Sequence, residues 1–200
     1  MRIAVSACLL GYNCKYNGEN NYNQRVYDLQ KNHELIPICP EIYGDLPTPR
    51  IPSERINSCR VCNKLGVDVT KNYCDGAKLA LKIIKEKEVK VAILKAKSPS
   101  CGKGLIYDGT FTHTLINGNG VTVDLLIKEN IKVYTEDEKW DFWWFKKCQL
   151  TLKIIGVNWF FLSFFIIYKG NNRLISIIYK MIIFGKNKKI KVENIFSLTL

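Results

Sequence analysis

No proline occurs after residue 99, and no tryptophan before residue 140. Residues 139–200 also lack alanine and hold only two acidic side chains against 11 Lys+Arg, a net of +9. These absences meet near Glu138 and exclude a chain of uniform composition. They divide it into a body, 1–138, and an apolar, basic tail, 139–200. The body carries 19 Lys+Arg and 16 Asp+Glu, a net of +3, so most of the formal +12 belongs to the tail. A nearly balanced body offers no electrostatic footprint for nucleic acid, and none is expected as its partner.

The N-terminus lacks a long apolar run. Met1 to Ala7 is too short for a secretory signal, and polar residues follow at once. The expected setting is the reducing cytoplasm, where eight cysteines point to metal or catalysis rather than to disulfides. Histidine is scarce: His33 reads as a solvated turn residue, and His113 stands alone after Phe111-Thr112. A second C-x-x-C pair, which a zinc ribbon needs, is also missing. Cys59-Arg60-Val61-Cys62 therefore reads as a packed pair, or as the centre of a zinc or thiol-redox binding module without catalytic activity. Gly118-Asn119-Gly120 reads as a turn, not a phosphate cradle.

What is present is an alternation of apolar runs and helical patterns. Ile3–Ala7, Leu35–Ile38, Val91–Leu94 and Ile131–Tyr134 read as strands. Gln24–Asn32, Thr70–Lys87 and Val121–Glu129 read as helices. Thr70 is the expected N-cap of the longest, with Cys74, Ala77, Leu81 and Ile84 on its inner face. Tyr43 to Arg60, with three prolines at 47, 49 and 52, reads as a long irregular loop. The expected fold is α/β: a single open, mainly parallel sheet with helices on both faces.

In such a sheet ligands bind at the carboxyl ends of the strands. Cys8 and Cys39 each follow a strand directly, and Cys101 lies in the loop after Val91–Leu94. The three thiols are expected on one rim. Read blandly, they are small buried hydrophobes. Read as a site, they are ligands for a soft metal, either zinc or an iron–sulfur cluster. Three thiolates on a four-iron cluster leave one iron free to act as a Lewis acid. Cys14, in the same loop as Cys8, is a candidate fourth ligand that would close the cluster and argue for electron transfer or a structural role. Glu41 beside Cys39, and Ser98 and Ser100 beside Cys101, are candidates for proton transfer and substrate hydrogen bonds.

Six motifs then occur in order: Ser6-Ala7-Cys8-Leu9-Leu10-Gly11, Cys39-Pro40-Glu41, Leu46-Pro47-Thr48-Pro49-Arg50, Gly66-Val67-Asp68-Val69-Thr70, Ser98-Pro99-Ser100-Cys101-Gly102 and Ile106-Tyr107-Asp108-Gly109-Thr110-Phe111. Over roughly residues 1–137 the chain resembles the bacterial domain-of-unknown-function family that includes the thiouracil desulfurases. The resemblance implies a desulfidase with a 4Fe-4S cluster on Cys8, Cys39 and Cys101. It implies a small thiolated pyrimidine such as 2-thiouracil as substrate, and uracil and sulfide as products. In the implied mechanism the substrate sulfur meets the open iron and an activated water attacks the carbon. Glu41, Ser100 and Ser98 are the candidates to move the protons.

The tail matches none of this. Leu150 to Tyr168 is 19 residues with one charge, Lys153, and would span the hydrocarbon core as a helix, so membrane association through 150–168 is one expectation. Ile, Lys, Asn and Phe make up 34 of the 62 tail residues, a bias that suits an out-of-frame extension. On either reading the tail is expected to contribute nothing to catalysis.

Overall fold

The structure, a computed structural model, describes residues 1–140. In chain order its elements are β1 (Arg2–Ser6), a 3-10 turn (Ala7–Leu10), α1 (Gln24–Tyr27) extended by a second 3-10 turn, and β2 (Glu34–Ile38). Then come α2 (Pro40–Tyr43), β3 (Ser53–Asn57), β4 (Arg60–Asn63), α3 (Thr70–Glu86) and β5 (Val91–Leu94). β6 (Leu105–Tyr107), β7 (Leu115–Asn117), α4 (Val121–Lys128) and β8 (Lys132–Thr135) complete the series.

Four strands form one parallel sheet in the order β2-β1-β5-β8. The register sets Ala4 beside Ala92, and Ala92 beside Val133. Alternate residues face alternate sides of the pleat. One face presents Ala4, Ile38, Ala92, Leu94 and Val133, and these share a core with Ala80 and Ile84 of α3 and Val123 and Leu126 of α4. Each large aliphatic side chain fully buried there contributes about 1.5–3 kcal/mol. The other face presents Ile3, Val5, Val91 and Ile93, all fully buried. The β1–β2 connection, with Leu9 and Val26 buried, runs across the sheet in the opposite sense to the β2–β5 and β5–β8 connections. Right-handed crossovers therefore put it on the opposite face, which gives the expected two-sided α/β architecture.

β2 lies at the sheet edge, which is why Pro37 is tolerated within a strand. The chain leaves β1 towards one edge and β5 towards the other. The crevice between the carboxyl ends of β1 and β5 is thus the topological switch point.

The loop expected from Tyr43 to Arg60 begins at the last residue of α2, contains β3 and ends at the first residue of β4, with a ladder irregularity of the β3–β4 hairpin between Arg55 and Asn57. Thr70 is the first helical residue of α3 rather than its cap; its Oγ1 accepts from the Val61 amide at 2.9 Å. The inner face of α3 is Tyr73, Gly76, Ala77, Ala80 and Ile84, with Cys74 only half-buried. Gly76 explains the offset. A Cβ there would lie 1.8 Å from the Pro40 carbonyl oxygen, and a Cβ on Gly44 would lie 2.0 Å from the Asn72 carbonyl oxygen. Two glycines thus let α2 and α3 meet backbone to backbone, and Asn72 Nδ2 donates to the Gly44 carbonyl at 2.7 Å. Among the described residues no helix is long and apolar enough to cross a membrane. Residues 150–168 and the rest of the tail beyond Trp140 lie outside the described residues.

Candidate active site

A cavity of about 530 Å³ opens at the switch point. Cys8, Cys14, Cys39 and Cys101 all line it, together with Glu41, Arg50, Tyr73, Lys95 and Ser98. Cys8 arrives on the 3-10 turn that follows β1. Cys39 is the N-cap residue of α2, held in place by the α2–α3 contact. Cys101 arrives on the loop after β5. Three thiols read from sequence as one rim therefore stand around one space, and a fourth stands with them.

The Cys101 loop is fixed by its own polar groups. The Gly102 amide donates to the Ser98 carbonyl at 2.8 Å, and Ser98 Oγ accepts from the amides of Ser100 and Cys101, both at 3.1 Å. The loop's carbonyls in turn satisfy the first amides of α4: Val121 donates to Pro99, and Thr122 to Ser100, each at 3.0 Å. The approach is so close that a Cβ on Gly120 would lie 2.3 Å from the Ser100 carbonyl carbon.

This docking decides where the two serines point. Ser98 lines the cavity, and its hydroxyl donates to Glu41 Oε1 at 3.5 Å. Ser100 is fully buried, and its hydroxyl shares a 2.9 Å hydrogen bond with Thr122 Oγ1. It does not reach the cavity lining. Glu41 does, and its other carboxylate oxygen, Oε2, accepts from Arg50 Nε at 2.8 Å and from Arg50 Nη2. Arg50 Nη2 also donates to the Cys14 carbonyl at 3.0 Å. One guanidinium thus ties the Glu41 carboxylate to the loop that carries Cys14.

Cys14 stands with Cys39 and Cys8 in the cavity lining, and its thiol bears on the acidity of both. That influence is the largest of those that lower Cys8 to about 7; Asn21 and Lys95 lower it further, against the opposing effect of burial. Cys39 is lowered first by Cys14 and then by the Ile42 amide of α2. Cys14 is itself raised, first by Cys39 and then by Cys8. Cys101 is raised mainly by burial.

Beside the thiols lies an aromatic edge. Tyr107 of β6, with Phe111 and His113 from the loop between β6 and β7, lines the cavity. Phe111 and His113 both have left-handed backbones, with φ of 60° and 64°. Glu54 pins this loop by accepting from the amides of Gly109 and Phe111, both at 3.0 Å. Neither Arg50 nor Glu54 carries a sequence signal for these roles. Both act through contacts that the folded loops create.

Cys59 is exposed and Cys62 is buried in the β3–β4 hairpin, and neither lines the cavity. Among the described residues no three His, Cys, Asp or Glu side chains close on one point as a single metal ion requires. The cavity thiols stand around a space instead. That suits a cluster, which takes one thiolate per iron, better than it suits zinc, which draws its ligands to one centre. The donor set therefore fits an iron–sulfur cluster.

The 2-thiouracil desulfurase family profile matches residues 3–138. The uncharacterized protein YbbK of Bacillus subtilis (strain 168) is 38% identical over 145 residues, 68% of this chain and 96% of that protein. A solved structure of the [4Fe-4S]-dependent thiouracil desulfidase TudS matches with a TM-score of 0.65 at 37% identity, covering 76% of this chain and 98% of that one. The fold, the order of the motifs and these matches agree: the chain belongs to the 2-thiouracil desulfurase family.

Proposed function

We propose that this protein is a 4Fe-4S-dependent desulfidase that removes sulfur from a thiolated pyrimidine such as 2-thiouracil, giving uracil and sulfide. Family membership supports desulfidase chemistry. The observation that carries the reading is the convergence of Cys8, Cys39 and Cys101 on the cavity that also holds Glu41 and Ser98. Cys8, Cys39 and Cys101 would hold the cluster, which when bound supplies an iron to which the substrate's sulfur is attracted as to a Lewis acid.

The chain's own groups supply the rest. The reaction exchanges a thione for a carbonyl: one water enters, hydrogen sulfide leaves, and no electrons are transferred. Arg50 clamps Glu41 Oε2, which leaves Oε1 to take the proton of the entering water. Ser98 is the relay. Its lone pairs are engaged by the Ser100 and Cys101 amides and its hydroxyl meets Glu41 Oε1, so it gives its own proton to the departing sulfur and takes back from Glu41 the proton that Oε1 received from the water. Ser100 shapes the loop through Thr122 and takes no part in proton transfer. Tyr107, Phe111 and His113 provide flat surfaces against which a pyrimidine ring stacks.

The activity is assigned to residues 1–138, with none to 139–200; the same assay on a chain cut after Trp140 tests that division. Release of sulfide from 2-thiouracil by the cluster-loaded protein tests the activity itself. Cluster-loaded protein that releases no sulfide from any thiolated pyrimidine overturns the reading.

A further inference from the structure

Lys95 lines the same cavity, and the proposed function gives it no task. We infer that Lys95 reads the edge of the pyrimidine: its ammonium donates a hydrogen bond to the ring's remaining carbonyl oxygen and so selects thiolated uracils over thiolated cytosines. The inference rests on the proposed function and deepens it.

Lys95 directly follows β5, at the carboxyl end that borders the crevice. Its direction is fixed by groups at the ends of two other strands. Its amide donates to Ser6 Oγ, at the end of β1, at 2.9 Å. Its Nζ donates to Oε1 of Glu136, the residue after β8, and Glu136 Oε2 accepts from the Ala96 amide at 2.7 Å. Glu136 is buried, and its own carbonyl accepts from Arg25 Nη2. One carboxylate thus grips the side chain of Lys95 and the backbone of the next residue. A long, flexible side chain is held at one place before any ligand arrives.

That grip does not exhaust the ammonium, which carries three protons. One goes to Glu136 and a second meets the Ala96 carbonyl at 3.4 Å, which leaves a third for a ligand. With 30% of its side chain exposed, Lys95 is withdrawn from bulk water yet open to the cavity. The other charged groups of the lining are engaged or exposed. Arg50 serves Glu41, Thr48 and the Pro47 and Cys14 carbonyls. Glu54 holds the Gly109 and Phe111 amides, and Lys15 pairs with Glu19. Lys64 and Lys97 are exposed.

The aromatic surfaces of Tyr107 and Phe111 accept any flat ring, so they cannot tell one pyrimidine from another. An ammonium can, because it donates and never accepts. A thiolated uracil offers it a carbonyl oxygen. A thiolated cytosine carries an amino group at that position, which sets donor against donor. A site built around one hydrogen bond rejects the analogue that cannot make it.

The test compares ligands that exchange carbonyl for amino at that position. Full-length wild type, Lys95→Gln and the double variant Lys95→Met/Glu136→Gln are loaded with iron and sulfide anaerobically. The double variant removes both charges, so it strands no buried carboxylate. Binding of uracil and of cytosine, which carry no sulfur to turn over, is measured by isothermal titration calorimetry. Release of sulfide from 2-thiouracil and 2-thiocytosine gives kcat and KM. The wild type is expected to prefer uracil, and both variants to lose at least about tenfold of that preference, the scale of a hydrogen bond to a charged group. On 2-thiouracil the loss should fall on KM more than on kcat, as it does when a contact serves ground and transition states alike. A purely structural ion pair would lower Tm and leave the ratio of the two affinities unchanged. A wild type that binds neither base or both alike, or variants that keep the wild-type ratio, overturns the inference, and the proposed function stands on the sulfide released from 2-thiouracil. A wild type that prefers uracil through Lys95 but releases no sulfide from any thiolated pyrimidine overturns the proposed function and leaves Lys95 as the group that recognises the base.

Discussion

Arg50 holds one oxygen of Glu41, with Nε at 2.8 Å from Oε2, and leaves the other facing Ser98. Both side chains are largely withdrawn from water, at 7% and 16% exposed. A carboxylate so placed depends on its partner. Arg50→Met should destabilise the cluster-free protein by about 3 kcal/mol, the scale for leaving one member of a buried pair without the other. Arg50→Lys should recover only part of this. A single ammonium cannot serve Glu41, Thr48 Oγ1 and the carbonyls of Pro47 and Cys14 together. Denaturant titration of the three proteins measures both effects.

The two serines of the Cys101 loop should separate cleanly. Ser98→Ala removes the hydroxyl that meets Glu41 and should lower kcat about tenfold, the scale of one hydrogen bond in the transition state. Ser100→Ala strands Thr122 Oγ1 in the core and should cost about 1–3 kcal/mol of stability with kcat little changed. Steady-state kinetics and thermal melts on the two variants give opposite patterns if the assignment is right. A large loss of kcat in Ser100→Ala with unchanged stability would reverse it.

Gly76 carries no side chain and lines no part of the cavity, yet the site depends on it. An alanine Cβ there would meet the Pro40 carbonyl at 1.8 Å, against backbone that cannot yield as a side chain does. Gly76→Ala should push α2 away from α3, and Cys39 and Glu41 with it. The expected result is a folded protein with reduced iron content after reconstitution, read by iron analysis beside circular dichroism.

In the cluster-free protein, Cys8 should behave as an acidic thiol. Its value of about 7 lies below that of an ordinary cysteine, so the thiolate is present above that pH and lost as pH falls through it. Alkylation of Cys8 should therefore rise with pH around 7, while Cys101, raised by burial, stays unreactive over the same range. Replacing Cys14, the first cause of the depression, should move the Cys8 midpoint upward. Residue-resolved alkylation followed by mass spectrometry reads all three.

How much of this was legible in the sequence follows from where each signal resides. Val91–Leu94 is read to the residue because a buried parallel strand is a continuous apolar run. The rim of Cys8, Cys39 and Cys101 is legible because strand ends in a parallel sheet share one edge. The hairpin β3–β4 is not. Its strands are short, their ladder is irregular, and prolines just ahead of them read as loop. Gly76 looks like a weak point within a helical pattern, and Gly44 like an ordinary loop residue, until the packing of α2 on α3 is seen. Cys14 is ambiguous for a similar reason. Its place among the thiols depends on the fold-back of residues 11–23, which backbone hydrogen bonds such as Asn21 to Cys8 determine. The serines are the sharpest case. Ser98 and Ser100 both closely precede Cys101 in the sequence, and only the docking of the loop on α4 turns one to the cavity and the other to the core.

On the proposed function, Cys8, Cys39 and Cys101 assemble a desulfurating cluster. The most direct measurement is anaerobic purification of the full chain from cells competent in cluster assembly, with iron and sulfide analysis followed by a 2-thiouracil assay. The expected result is a brown protein with about four irons per chain, the content of one such cluster, and one sulfide released for each uracil formed. A colourless, iron-free preparation, or a loaded protein that releases no sulfide from any thiolated pyrimidine, would contradict it.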